Sequence, residues 1–487
     1  MADPADPLEP PRDVQERWLA QLARFTHDHL AALETAPAVG AHGADAADVV
    51  DAVSRPIAEE PLAGGMDEIV ALLDRAVAAS LNTAGPGYLA YIPGGGIYAA
   101  ALADFVADGV NRYTGLPQPA PALFRLEQDV LEWLCAAFGY GPDARAVLTP
   151  GGSLANLGAV VTARHARFGE GGNFEGATVY TSTQAHHSIA KAVRLAGIPT
   201  ANVRAVPTDG IHRMRADALE AQIAADQRNG RQPFLIIASA GTTNTGAVDP
   251  LPAIADVAAR RGAWLHVDGA YGGAFVLCAA GRERLAGIER ADSIAFDPHK
   301  GMFLPYGTGC LLVKDGLALH RAHHLAAEYL QDLTGGETHV SWSPSELGPE
   351  LSRDFRGLRL WLPLMLHGAR AFRDALAEKL ALADHFVAGL DALVAGGARI
   401  EIVARPQLSL VAFRLARAAG EPLAEWNRRN AAWMAAINAR ERVFLSSTLL
   451  ESPEGMVFTL RVCVLSFRTH RRHLDRCLED LLVAAGP

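Results

Sequence analysis

The sequence predicts an α/β protein: a mostly parallel sheet with helices on both faces, preceded by an N-terminal helical segment and followed by a smaller α+β domain. Three observations carry this expectation. Between about residues 145 and 315, short apolar runs alternate with helical segments, the signature of βαβ units. Before that region apolar residues recur at helical spacing, and after it strand-like and helix-like stretches mix. A chain of 487 residues is also too long for one simple core, so two or three domains are expected. They are placed at 1–84 (helical segment), 85–375 (large domain) and 376–487 (small domain).

Residues 1–12 are acidic and proline-rich, bury nothing and are expected to be disordered. From Asp13 to Leu33, the spacing of Val14, Trp18, Leu19, Leu22, Phe25 and Leu30 predicts a helix. Ile69, Leu72, Leu73, Val77 and Leu81 repeat the pattern from Asp67 to Leu81. Two such helices cannot form a core alone, so they pack on the rest of the chain or on a partner subunit. The segment Gly85 to Gly96 sets Tyr88, Tyr91 and Ile92 among glycines. It reads either as a small-molecule pocket wall, where glycine lets backbone approach a ligand, or as a tight turn with inward-packed tyrosines. Helices follow from Ile97 to about Asn111 and from Leu123 to Phe138.

In the central region, strands are expected at Ala146–Thr149, Thr178–Ser182, Phe234–Ser239, Trp264–Asp268, Ser293–Phe296 and Cys310–Val313, with helices beginning at Ser153, Ser188 and Pro252. Residues 326–352 are polar and aperiodic, the character of a functional loop. A long helix is expected from Phe355 to about Val394. Strands at Ile400–Val403, Leu408–Leu415 and Phe458–Val464 then alternate with helices near 422–440 and 470–484.

Bulk properties exclude several functions. The formal charge of −10 and the lack of a basic stripe argue against nucleic-acid binding. Five widely spaced cysteines fit buried thiols in a reducing compartment better than a disulfide framework or a zinc site. The N-terminus lacks the blocks of a signal peptide, and no apolar run reaches membrane-spanning length, so the expectation is a cytoplasmic enzyme with no membrane partner.

Four groups stand at predicted strand ends, where ligands bind in parallel sheets. Thr149-Pro-Gly-Gly-Ser-Leu-Ala-Asn156 is a glycine turn opening a helix, suited to a phosphate through its N–H groups and Ser153, or simply a tight turn with Ser as N-cap. In Gln184-Ala-His-His-Ser188 an imidazole can stack on a planar heteroaromatic ring. Metal ligation is the rival idea, but no Cys or third His sits at ligand spacing and no metal is expected. In His266-Val-Asp-Gly-Ala-Tyr271 the strand-end carboxylate of Asp268 needs a cation, either a protonated pyridine nitrogen or an arginine, unless it serves as an N-cap. In Ser293-Ile-Ala-Phe-Asp-Pro-His-Lys-Gly301, Lys300 is either a solvated loop lysine or a Schiff-base nucleophile. Phosphate cradle, stacking His, acid and lysine in this order amount to a site for pyridoxal 5′-phosphate.

The chain resembles the group II pyridoxal-phosphate-dependent amino-acid decarboxylases of fold type I, relatives of the aromatic-amino-acid and glutamate decarboxylases. The resemblance runs from about Trp18 into the C-terminal domain and rests on Asp-Pro-His-Lys at 297–300, Gln-Ala-His at 184–186 and His-Val-Asp-Gly-Ala-Tyr at 266–271. It implies that Lys300 holds the cofactor as a Schiff base and that Asp268 pairs with its ring nitrogen. By the same resemblance, His186 and Ala270 cover the ring faces, Gly152, Ser153 and His299 hold the phosphate, and Thr243 meets the ring edge. It further implies a homodimer locked by the N-terminal helices, and a substrate pocket at Tyr91, Ile92 and Pro93. Tyr113 and Gly115 are assigned to the same pocket. The implied reaction is decarboxylation of an L-amino acid to its amine, with an aldehyde synthase or an aminotransferase as the alternative. Two departures stand out. No tyrosine occurs between Leu330 and Arg353, where the family carries its proton donor, which leaves His339 as substitute. Ile92 and Gly115 fall where aromatic-specific members tend to carry phenylalanines.

Overall fold

The computed structural model describes residues 8–40, 46–325 and 342–485. Its centre is a seven-stranded sheet in the order β1-β7-β6-β5-β4-β2-β3. The strands are β1 (Arg145–Thr149), β2 (Ala177–Ser182), β3 (Val203–Val206), β4 (Gln232–Ser239), β5 (Trp264–Gly269), β6 (Ser293–Phe296) and β7 (Gly309–Val313). All run parallel except β7, which is antiparallel to both neighbours. Every residue of β2, β6 and β7 is buried, as expected for strands covered on both faces. The helices Gly152–Phe168, Ser188–Leu195, Ala216–Arg228 and Leu251–Arg261 connect these strands. This is the α/β architecture expected, with the strand positions shifted by a residue or two.

A second, antiparallel sheet has the order β10-β11-β9-β8, from β8 (Ile400–Ala404), β9 (Leu410–Leu415), β10 (Ser446–Ser452) and β11 (Gly455–Cys463). The helices Leu423–Asn438 and Arg471–Ala485 accompany it. The helix Arg356–Ala395 breaks at Gly368, whose φ of +72° is left-handed, and holds Pro363 in its first part. Leu360, Phe372 and Leu376 lie in the core of the main sheet, whereas Phe386 and Leu390 lie in that of the small sheet. One helix thus serves both cores, and the boundary drawn after residue 375 falls inside it.

Sequence patterning misses β3, β10 and the short helix Ala47–Val53. β3 is an edge strand with a single buried residue, and Ser446-Ser-Thr-Leu-Leu-Glu-Ser452 alternates too weakly to stand out. The helices Arg12–Ala32 and Gly65–Ala78 form as predicted, yet bury none of their residues; Trp18, Leu19, Leu22, Ile69, Leu73 and Val77 are exposed. All five cysteines are buried and free. Among the described residues, no helix is long and apolar enough to cross a membrane.

Candidate active site

The carboxyl ends of β1, β2, β4, β5 and β6 surround one cavity of about 220 Å³. The eight residues expected to hold a cofactor, Gly152, Ser153, His186, Thr243, Asp268, Ala270, His299 and Lys300, all line it. Parallel pairing brings them together, because it aligns the strands' carboxyl ends along one edge of the sheet.

Lys300 follows β6 on the short turn Pro298–Gly301. Its Nζ lies 2.9 Å from Oδ2 of Asp297, three residues back. Asp297 is buried, and its Oδ1 has no hydrogen-bond partner. His299 Nδ1 donates to the Thr308 carbonyl at 2.6 Å, while Nε2 faces Asp297 Oδ2 at 3.8 Å. Burial lowers the His299 pKa against the opposing pull of Asp297. Two glycines permit this packing. A Cβ at Gly94 would stand 2.2 Å from the His299 carbonyl oxygen, so Gly94 makes room for protein backbone. A Cβ at Gly152 would stand 3.0 Å from both Ala270 Cβ and Asp297 Oδ2.

Around Asp268 the chain supplies a continuous hydrogen-bond network. Asp268 Oδ1 accepts from the Ala270 N–H (3.1 Å), and Oδ2 accepts from Asn156 Nδ2 (3.2 Å). A carboxylate only accepts, which orients the Asn156 amide and turns its Oδ1 toward His266 Nε2 at 2.9 Å. Nε2 therefore carries hydrogen. The fully buried His266 is neutral: burial lowers its pKa to about 4, outweighing the Asp268 charge and the Ser293 carbonyl. Its bare Nδ1 accepts from Ser293 Oγ (2.9 Å), which in turn accepts from Trp264 Nε1 (2.9 Å). Every donor in the chain Trp264, Ser293, His266, Asn156 points toward Asp268. Asn156 Nδ2 also reaches Ser188 Oγ (3.2 Å), which bonds His186 Nδ1 at 2.8 Å. The Ser188 N–H also donates to that nitrogen, so Nδ1 is the bare one. Burial lowers the His186 pKa as well, with Asp268 opposing.

The residues assigned to substrate do not line this cavity. Tyr91 has a left-handed backbone (φ +50°) and a 56% exposed side chain, and its N–H donates to Ser446 Oγ at 2.9 Å. Ile92 packs against the main core, and Pro93 is buried. Tyr88 is buried against Phe444, so one tyrosine of this segment packs inward and the other does not. Tyr113 donates to the Leu351 carbonyl at 3.0 Å, and a Cβ at Gly115 would collide with that tyrosine. His339 lies outside the described residues.

Sequence reasoning missed Asn156, Ser188, Ser293, Asp297 and the part played by His266. His266 was within reach: residues i and i+2 of a strand share a face, which sets it beside Asp268. Asn156 was not, since it is an ordinary polar residue 110 positions before His266.

The donor set suits pyridoxal phosphate on the chain's own evidence. The helix Gly152–Phe168 opens at the cavity with no side-chain cap on its first N–H groups, a Cβ at Gly152 would crowd the cavity wall, and a lysine and a carboxylate line the same space. The comparisons agree. Residues 55–416 match the family model for the pyridoxal-dependent decarboxylase conserved domain. The chain is 35% identical over 386 residues to the aromatic-L-amino-acid decarboxylase of Bacillus atrophaeus, covering 79% of this chain and 78% of that one. It is 31% identical to phenylacetaldehyde synthase of Petunia hybrida, covering 80% and 78%. The crystal structure of Oryza sativa TDC with PLP and tryptamine superposes with a TM-score of 0.88 at 28% identity, covering 99% of each chain.

Proposed function

The chain belongs to the pyridoxal-dependent decarboxylase family, and from that premise we propose that it converts an aromatic L-amino acid into the corresponding amine. The observation that carries the reading is the convergence of Lys300, Asp268 and His186 on one cavity whose polar lining matches the cofactor. The substrate class is supported by the aromatic-amino-acid decarboxylase among the relatives.

In this reading Lys300 holds the cofactor's aldehyde carbon, and the turn at Gly152 and Ser153, with His299, holds its phosphate. His186 and Ala270 cover the ring faces, Thr243 meets its edge, and Asp268 faces its nitrogen. When bound, pyridoxal phosphate supplies an aldehyde that condenses with an amine and a ring that takes up the electron pair left as CO2 departs. The chain's part is electrostatic. The Asp268 carboxylate holds a proton at the nitrogen it faces, and Asn156 and the Ala270 N–H keep that carboxylate aimed. Neutral His266 locks the Asn156 amide without adding a charge that would compete for Asp268. Asp297 holds the free Lys300 amine in position whenever it is not joined to the cofactor.

Incubation with cofactor and a panel of amino acids, with products identified by mass, tests the proposal. Amine with equimolar CO2 is expected; keto acid exchange, or no turnover of any aromatic amino acid, rejects it. A second reading, decarboxylation with oxidative deamination in which O2 is reduced to hydrogen peroxide and an aldehyde and ammonia are released, is favoured by the absence of tyrosine between Leu330 and Arg353 and by the phenylacetaldehyde synthase among the relatives. Aldehyde and ammonia in place of amine select it. We also propose a homodimer, supported by the unburied apolar faces of Arg12–Ala32 and Gly65–Ala78. Light scattering of the active enzyme at the monomer mass counts against it.

A further inference from the structure

Outside the cavity, the described residues hold one group of three side chains whose ligand atoms all lie within 4.8 Å of one another: His320, His324 and Glu346. Residues 320 and 324 are one helical turn apart at the end of the helix Gly316–His323, and their rings stack at 4.6 Å and 15°. Glu346 comes from the turn Pro344–Glu346, on the far side in sequence of residues 326–341. Its Oε1 lies 3.3 Å from His324 Nδ1, and its Oε2 lies 3.7 Å from His320 Nε2.

These separations are long for direct hydrogen bonds, which cluster near 2.9 Å. Ligand atoms about 2.0–2.2 Å from a tetrahedral zinc ion stand roughly 3.3–3.6 Å from one another. The 3.3 Å pair fits that spacing and the 3.7 Å pair lies just beyond it, so small side-chain adjustments would bring all three groups around one ion. Ser343 Oγ donates to Glu346 Oε2 at 3.2 Å and sets the carboxylate. Trp342 packs edge-on to His320 and is itself covered by the Arg145 guanidinium at 4.2 Å. His324 is the most open of the three, with 40% of its side chain exposed, which leaves a path for a fourth ligand.

We propose that His320, His324 and Glu346 bind one divalent zinc-class ion, with water as fourth ligand. Two imidazoles and a carboxylate form the donor set that favours such a metal over calcium or magnesium. The ion ties the end of the helix Gly316–His323 to the turn that follows residues 326–341. The sequence-based expectation of no metal site weighed the five cysteines and the adjacent pair His186 and His187, whereas this set joins two histidines of one helical turn to a glutamate 22 positions beyond His324.

Cobalt(II) is the probe, because tetrahedral coordination gives intense visible bands that octahedral aquo-cobalt lacks. The untagged, cofactor-loaded protein is freed of metals with chelator and titrated with Co2+. The expected result is one tetrahedral ion per chain, displaced by Zn2+, with affinity reduced at least about 100-fold in His324→Ala and in Glu346→Gln. Ser343→Ala is expected to weaken binding about 10-fold. His324 is exposed enough that its removal leaves the fold intact, which retained cofactor absorbance checks. The proposal is overturned if the wild-type protein shows no tetrahedral spectrum, or if the variants bind the ion as the wild type does.

Discussion

The two groups of side chains that line the cavity are built on opposite plans. Around Asp268 the chain satisfies itself: both carboxylate oxygens, the Asn156 amide and both nitrogens of His266 have protein partners. Around Lys300 it does not: Asp297 Oδ1 is buried without a partner. Self-satisfied polar networks are rigid, because every alternative position breaks a bond in low dielectric. Unmet polar capacity is held open for something else. Under the proposed function, the contrast separates a permanent task, holding charge opposite a ring nitrogen, from a repeated one, releasing and recapturing an amine.

The sharpest way to break the contrast is Lys300→Ala, which removes the exchanging group itself. Turnover is expected to fall by at least about 10⁴-fold, and borohydride reduction followed by peptide mapping should find no adduct in place of the one at Lys300. Asp268→Ala removes the permanent charge and should cost about 10²–10³-fold in kcat, measured with retained cofactor. Asn156→Leu tests whether the network matters beyond the carboxylate. A charge-assisted hydrogen bond of about 1.5–3 kcal/mol is lost, and a fall of about 10–100-fold is expected. His266→Phe should reproduce part of it, and the double variant should fall short of the product of the two effects, since the residues act through one another.

The smallest effect is on stability. The folded His266 pKa, about 4, lies below the usual 6.5. As pH falls, the unfolded chain takes up the proton first. The stability difference is therefore intact above about pH 6.5, is lost progressively down to about pH 4, and is level below that. Its full size is about 3 kcal/mol. His266→Gln keeps an N–H for Asn156 but does not titrate, so urea midpoints of the two proteins should diverge over this window. Equal pH dependence would show that His266 is not the neutral donor described.

Much of this was legible because local chemistry leaves local traces. Asp-Pro-His-Lys at 297–300 breaks a buried strand at a proline and leaves a lysine behind it, and the glycine turn before Ser153 opens a helix; neither pattern needs a partner to be noticed. The N-terminal helices announced themselves by apolar spacing alone. β3 and β10 did not, because an edge strand is selected by what it pairs with, and neither carries a clear period of two.

What the amino-acid order determined by itself was most of the elements and the reactive residues at their ends, since helix and strand periodicity and backbone breaks act over a few residues. Which side chains meet those reactive residues, and which meet each other, was decided only in three dimensions. Asn156 lies 112 residues from Asp268, and Glu346 lies beyond residues 326–341 from the histidines it faces. Amides and hydroxyls carry no charge or motif to betray a role. They acquire one only where strand order and register bury them against a carboxylate or an imidazole, and those contacts depend on the whole sheet having formed.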